Sequence, residues 1–426
     1  MTRTTRITRI PGMALTDHTF VVPLDHARPD GPTIEVFARE VVDPTAAGRN
    51  RPWLCFFQGG PGQRAQRPPR ANGWLARALR THRVLLLDQR GTGRSTPVTP
   101  SLAARTPPEE LAALLRHMRA DSIVADAELI RRRLCGDEPW ETLGQSYGGF
   151  VTLAYLSRAP EALKSCYITG GLIGLDVTAE DVYHRTYPRV RTKNAEYYAR
   201  YPDDVEAVRR LADHLTAHDV RLPDGDRLTV RRLQFLGSVF GMGDGFERVH
   251  WMLDEAWDGD RVSDTFRAAA MQATALTDQP LWAVLQEPIY GQGKVATGWA
   301  AEKVRAELPE FAESADPLLF TGEMMYPWMF EEVAALRPFR EAAHLLAEQY
   351  DWPVLYDVER LRANTVPVAA AIFFDDMYVD ADLSLETARE VGALRAWVTN
   401  EWEHDGSHAS GGAVLGRLMD MVAGRV

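Results

Sequence analysis

Cysteine is scarce in this sequence, basic charge is in deficit, and no long apolar run occurs. Each shortage removes a class of function. The three cysteines, Cys55, Cys135 and Cys166, are an odd number without metal-ligand spacing. They therefore specify neither a disulfide framework nor a structural metal site, and read as free thiols in a reducing cytoplasm. Lysine and arginine number 48 against 59 acidic residues, a net charge of −11. No basic excess is available to neutralise phosphates, so nucleic acid is excluded as a partner. No stretch of about 18 apolar residues is present to span a membrane. Residues Met1–Ile10 alternate arginine with threonine and lack the apolar segment of a secretory signal. Internal repeats and low-complexity tracts are also missing. What remains is an ordinary globular composition, 45% hydrophobic and 25% charged over 426 residues. That is long for one core and predicts a main domain plus a substantial second one.

The apolar residues fall into short runs. Thr19–Pro23 and Thr33–Arg39 read as strands joined by the turn chemistry of Arg28-Pro29-Asp30-Gly31-Pro32. Trp53–Phe57, Val84–Leu87, Trp140–Leu143, Lys164–Thr169, Val366–Phe374 and Leu394–Val398 are strand-like and largely apolar. Helical patterns over about 72–79, 122–134, 150–156, 384–392 and 412–422 alternate with them. Strands apolar throughout and separated by helices predict a mostly parallel sheet covered on both faces. From 175 to 358 the pattern is mainly helical, dense in Tyr, Trp, Met and Arg, before the strands resume. The expected organisation is a core in two parts, 1–174 and 359–426, carrying an inserted helical cap at 175–358.

The chemistry centres on Gly144-Gln145-Ser146-Tyr147-Gly148, a G-x-S-x-G pattern between a strand and a helix. That context forces the serine onto a tight, exposed turn, the nucleophile elbow. A serine hydroxyl needs an imidazole to take its proton and an acid to hold that imidazole. On such elbows the chain order is serine, acid, histidine. Asp376, in the loop after Ala369–Phe374, is the preferred acid, with Asp375 and Asp380 as alternatives. After the last strand two histidines compete, and His404 is preferred to His408. Backbone donors for a developing oxyanion are expected from the Tyr147 amide and from Gly60 in the loop Gln58-Gly59-Gly60-Pro61-Gly62. Asp88 and Arg90 are expected to brace the loop after their own strand.

Gln58–Gly62, Asp88-Gln89-Arg90-Gly91-Thr92-Gly93-Arg94-Ser95 and Gly144–Gly149 together resemble the proline iminopeptidase (prolyl aminopeptidase) family of α/β-hydrolases, in its larger branch. The segments Asp375–Val379 and Trp402–Gly406 extend the resemblance over most of the chain. One departure is Gln58, where the wider family usually has histidine; the position supports the loop rather than reacting. The resemblance implies an α/β-hydrolase fold with a cap, and release of N-terminal proline from small peptides with a free N-terminus. It calls for no metal and no organic cofactor. It also implies cap glutamates that bind the substrate ammonium, for which Glu323 and Glu287 are the candidates because both lie among aromatic and apolar neighbours. The competing expectations are an esterase, amidase or tripeptidyl-type aminopeptidase on the same scaffold, and a catalytically silent binding protein.

Overall fold

In a computed structural model, which describes residues 2–45, 48 and 50–426 and, within that span, the side chains from residue 7 onward, the apolar runs fold as strands. These are β1 (Thr2–Ile10), β2 (Met13–Pro23), β3 (Thr33–Val42), β4 (Trp53–Phe57), β5 (Arg83–Leu87), β6 (Trp140–Gln145) and β7 (Leu163–Thr169). A two-residue pair follows, β8 (Trp257–Asp258) and β9 (Arg261–Val262), and then β10 (Val368–Phe373) and β11 (Leu394–Thr399). Nine of them form one sheet in the order β1-β2-β3-β5-β4-β6-β7-β10-β11. The first three are antiparallel to their neighbours, and β5 through β11 in that order run parallel.

Alternation within each apolar strand explains the two-sided burial. In β4, Leu54 and Phe56 pack with Trp74, Leu75, Leu415 and Leu418 on one face. Cys55 and Phe57 point to the other face, toward Ile123, Val151 and Tyr155. The second core continues into the helical segments between β7 and β10, which seats them on that face of the sheet. Between Thr169 and Val368 the described chain is mainly helical and adds no strand to the large sheet.

β1 was not expected. Its threonines and isoleucines favour extended backbone, and its arginines suit the outer edge of the sheet, where charge discourages further pairing. The parallel strands all end toward one edge, where loops from different strands meet. The central strand β6 carries Ser146 to that edge between β4 and β7.

Arg90 has the bracing role expected of it. Fully buried, it pairs with Asp126 at 2.7 Å and donates to the carbonyls of Leu24 and His117, tying β2 to the helix Ala120–Cys135. Asp88, equally buried, accepts from the amides of Ala65 and Arg94, which folds the two glycine-rich loops against each other.

Candidate active site

Ser146 sits at φ 54° and ψ −124°, a backbone conformation side chains with a Cβ rarely adopt. The strain is held by the Ser146 N–H donating to Thr169 O at 2.9 Å and by Gly149 N–H donating to Ser146 O at 2.7 Å. The flanking glycines are required by space. A Cβ on Gly148 would overlap the Phe57 carbonyl, and one on Gly144 would overlap the Gly148 carbonyl. The helix Tyr147–Arg158 begins directly after the serine, so the Tyr147 amide lies in its first turn without an intrahelical acceptor. That end of the helix also carries partial positive charge.

Asp376 and His404 form the buried partner pair. Asp376 Oδ2 receives the Nδ1 hydrogen bond of His404 at 2.6 Å. The other oxygen, Oδ1, accepts the amides of Tyr378 and Val379 at 2.8 and 3.0 Å, so the carboxylate cannot swing. With Nδ1 engaged, Nε2 is the nitrogen left to serve a nucleophile. Burial alone would lower the imidazole pKa. Asp376, followed by Glu323 and Asp405, outweighs that and holds it above the ordinary value of 6.5. Tyr378 packs edge-on against the ring, and the His404 amide donates to Gly241 O in the helical stretch between β7 and β10.

The alternatives take other duties. Asp380 caps the helix Ala381–Glu390, accepting from the amides of Asp382 and Leu383, and pairs with Arg189 at 3.0 Å. His408 is exposed and hydrogen-bonds the Gln66 side chain. Asp375 is partly exposed, on the residue before the buried acid.

Glycines not singled out in the sequence bring these parts together. Gly170 and Gly171 follow β7. A Cβ on Gly170 would stand 3.0 Å from His404 Nδ1, while one on Gly171 would overlap the Ser146 carbonyl. Adjacent residues therefore approach the histidine ring and the serine backbone, which places both in one neighbourhood. Gly59 is equally tight: a Cβ there would meet Gln145 Oε1 at 2.5 Å and Ser146 Cβ at 2.9 Å. Gly60, the expected donor, is the next residue, and its loop is steadied by Gln89 Nε2 donating to Gln58 O at 2.9 Å. Gly171→Ala should push the elbow off its position. We expect kcat to fall about 100-fold, since small misplacements cost about that much. Wild-type kcat in this variant would show that the elbow tolerates displacement.

Glu323 and Glu287 sit in the same neighbourhood. Glu323 accepts Trp282 Nε1–H at 3.0 Å. Burial pushes its pKa up to about 7, against the pull of His404 and Trp282, while Asp376 pushes it further up. Its charge is thus felt directly by the Asp376–His404 pair. Glu287, 4% exposed, spends Oε1 on the Ala301 amide at 2.9 Å, and Oε2 has no protein partner. Burial raises it to about 7 as well, partly offset by the Ala301 and Ala300 amides and by nearby Thr297. Thr297 Oγ1 and Tyr183 OH are likewise buried without a hydrogen bond. Tyr183 faces both glutamates, and its ring meets Tyr290, which packs on Phe150. Trp282, Tyr183 and Thr297 were missed in the sequence because they come from separate cap segments with no shared motif.

Among the described residues, one grouping has metal-ligand spacing: Glu180, His184 and Glu307, all exposed. It shares no residue with the Ser146 neighbourhood.

The family described as alpha/beta hydrolase fold matches residues 52–231. A proline iminopeptidase of Aeromonas sobria is 46% identical over 412 residues, covering 96% of this chain and 97% of that one. A proline iminopeptidase of Aspergillus aculeatus is 35% identical, covering 96% of this chain and 93% of its own. A Neisseria gonorrhoeae proline iminopeptidase is 31% identical over only 28% of this chain. Similarity at that level along nearly the whole length, joined to a strained serine and a buried carboxylate–imidazole pair beneath a helical insertion, leads to one assignment. The chain belongs to the proline iminopeptidase family of α/β-hydrolases.

Proposed function

We propose that the protein is a serine aminopeptidase that releases proline from the N-terminus of small peptides. The observation that carries this reading is the pair of carboxyls, half-buried Glu323 and buried Glu287, beside the Asp376–His404 pair in an aromatic enclosure. A carboxyl in such surroundings is costly to ionise unless a cation arrives. The ammonium of a peptide N-terminus supplies one, and a blocked N-terminus does not. The unpaired Oε2 of Glu287 supports this use. Tyr183, Tyr290 and Phe150 offer the apolar wall that a pyrrolidine ring needs.

In this reading Ser146 Oγ attacks the carbonyl of the first residue while His404 Nε2 takes its proton. Asp376 keeps the imidazole oriented and balances its charge. The Tyr147 and Gly60 amides hold the oxyanion, each contributing about 3 kcal/mol. His404 then protonates the departing amine, the shortened peptide leaves, and water hydrolyses the prolyl ester on Ser146. Residues 175–358 would act as the cap that excludes long and blocked chains. The three cysteines are free, consistent with a cytoplasmic protein. No helix among the described residues is long and apolar enough to cross a membrane.

A panel of aminoacyl-β-naphthylamides tests the preference for proline. The prolyl compound should exceed alanyl and leucyl compounds by about tenfold or more in kcat/KM, the discrimination a shaped apolar pocket provides. Equal rates across the panel would point to a general amidase.

A further inference from the structure

Ser146 is 7% exposed, His404 4%, Glu287 4% and Asp376 1%, so a peptide must pass through the cap to reach them. Two flanks are shut by direct contact. On the glycine-loop side, a Cβ on Gly62 would overlap Leu281 of the helix Pro280–Leu285. On the His404 side, Gly241 lies against the Tyr378 ring, and Lys193 binds Glu403 at 2.6 Å.

The third flank is where the chain leaves the core. A narrow cavity of about 90 Å³ lies between residues 176–179 and the glycine-rich segment 290–297. Asp176 and Val177 also line a surface depression of about 620 Å³, so the two spaces adjoin at these residues. The cavity is also lined by the buried Tyr290 and Thr297. Tyr290 feels the charges of Glu323, Glu287 and Asp376, and Thr297 stands beside Glu287. At its outer end the depression holds Asp176, Glu359, Glu386 and Glu390 against Arg362 and Arg389. Arg362 is already engaged by Glu359 and Glu390. Across the neck, Gln292 Nε2 donates to Leu175 O at 2.6 Å, a single bond whose release would widen the passage.

We infer that this cleft between 176–179 and 290–297 is the route by which a peptide N-terminus reaches the site, with Val177 and Val295 forming the neck and Asp176 drawing in the ammonium. The inference rests on the aminopeptidase reading for the nature of its cargo, but the route can be tested without it. A charge at the mouth of a passage raises the encounter rate for an opposite charge and loses its influence as salt screens it.

Val177→Trp and Val295→Trp would each obstruct the neck from one wall; Val295 is 44% exposed, so its variant need not disturb the core. We expect each to lower kcat/KM for prolyl-β-naphthylamide at least about tenfold by slowing access. Both should also slow Ser146 labelling by a bulky tagged fluorophosphonate far more than labelling by a compact one. Gln66→Trp, in the separate depression beside His408, should change neither. Asp176→Asn should lower kcat/KM for a free dipeptide about threefold at low salt, and the difference should vanish at high salt. If the Val177 and Val295 variants label with both probes at the wild-type rate, or if Gln66→Trp is the variant that blocks the bulky probe, the route is elsewhere. A wild type that labels but cleaves no prolyl substrate would overturn the aminopeptidase reading, and the ratio of bulky to compact labelling would still decide the route.

Discussion

Asp376→Asn should lower kcat for a prolyl amide about 10⁴-fold while leaving the fold intact. Asp376 Oδ2 receives the His404 Nδ1 proton at 2.6 Å, and Oδ1 is fixed by the amides of Tyr378 and Val379. An asparagine that kept its oxygen on those two amides would turn its NH₂ group toward Nδ1. The imidazole would then have to accept there and place its proton on Nε2, the wrong tautomer for a base. The imidazolium formed during attack would also lose its balancing charge. His404 is held above 6.5 chiefly by Asp376 against the pull of burial, so the variant should move the acidic limb of the rate profile to lower pH. Ser146→Ala should lose about 10⁶-fold, since the serine and histidine act as a unit. It should also abolish fluorophosphonate labelling. Near-normal turnover in Asp376→Asn would mean that another residue orients His404.

Replacing both Glu323 and Glu287 by glutamine should separate recognition from chemistry. We expect the double variant to lose about 100- to 1,000-fold in kcat/KM toward prolyl-β-naphthylamide, as buried charge pairs typically cost 2–5 kcal/mol when one partner is removed. Labelling by a compact fluorophosphonate should stay within about threefold of wild type, because that probe carries no ammonium to be recognised. Amide turnover and labelling falling in parallel would show that the glutamates serve the catalytic groups themselves.

The pH dependence has a defined sign. Both carboxyls are raised from 4.5 to about 7 by burial, so they are protonated and blind to an ammonium in acid. Turnover of the free amine should therefore fall below about pH 7 more steeply than labelling, which senses His404 alone. Stability runs the other way. Between about pH 4.5 and 7 the folded protein holds protons that the unfolded chain has released. This contribution is fully present below 4.5 and is lost as pH rises through 7. Glu287→Gln removes it, so at pH 8 the variant should be more stable than wild type by about 3 kcal/mol, with little difference at pH 4.5. Equal melting temperatures at pH 8 would mean that Glu287 ionises without penalty.

Local signals made the core and the serine legible. Ser146 follows a short strand and precedes a helix, and Asp376 and His404 follow the last strands; such placement can be read from chain order alone. β1 escaped because an edge strand with arginine at every third position and threonine between lacks the apolar pattern of a buried one. Asp380 resembled a catalytic acid in sequence, yet an aspartate directly before a helix has a nearer use as its cap. Gly170 and Gly171 could have been found by asking why two glycines follow a parallel strand next to the elbow. The contacts of Glu287 with Ala301 and of Glu323 with Trp282 were beyond reach. They join cap segments through tertiary packing, with no periodicity to announce them.

In the aminopeptidase reading, Ser146 acts only on chains whose free N-terminus pairs with Glu323 and Glu287. The most direct measurement compares prolyl-β-naphthylamide with its N-acetylated form on the same purified protein. We expect rapid release of naphthylamine from the free amine and at least about a 1,000-fold lower kcat/KM for the acetylated compound, which leaves both carboxyls unpaired. Equal rates on the two compounds would contradict it.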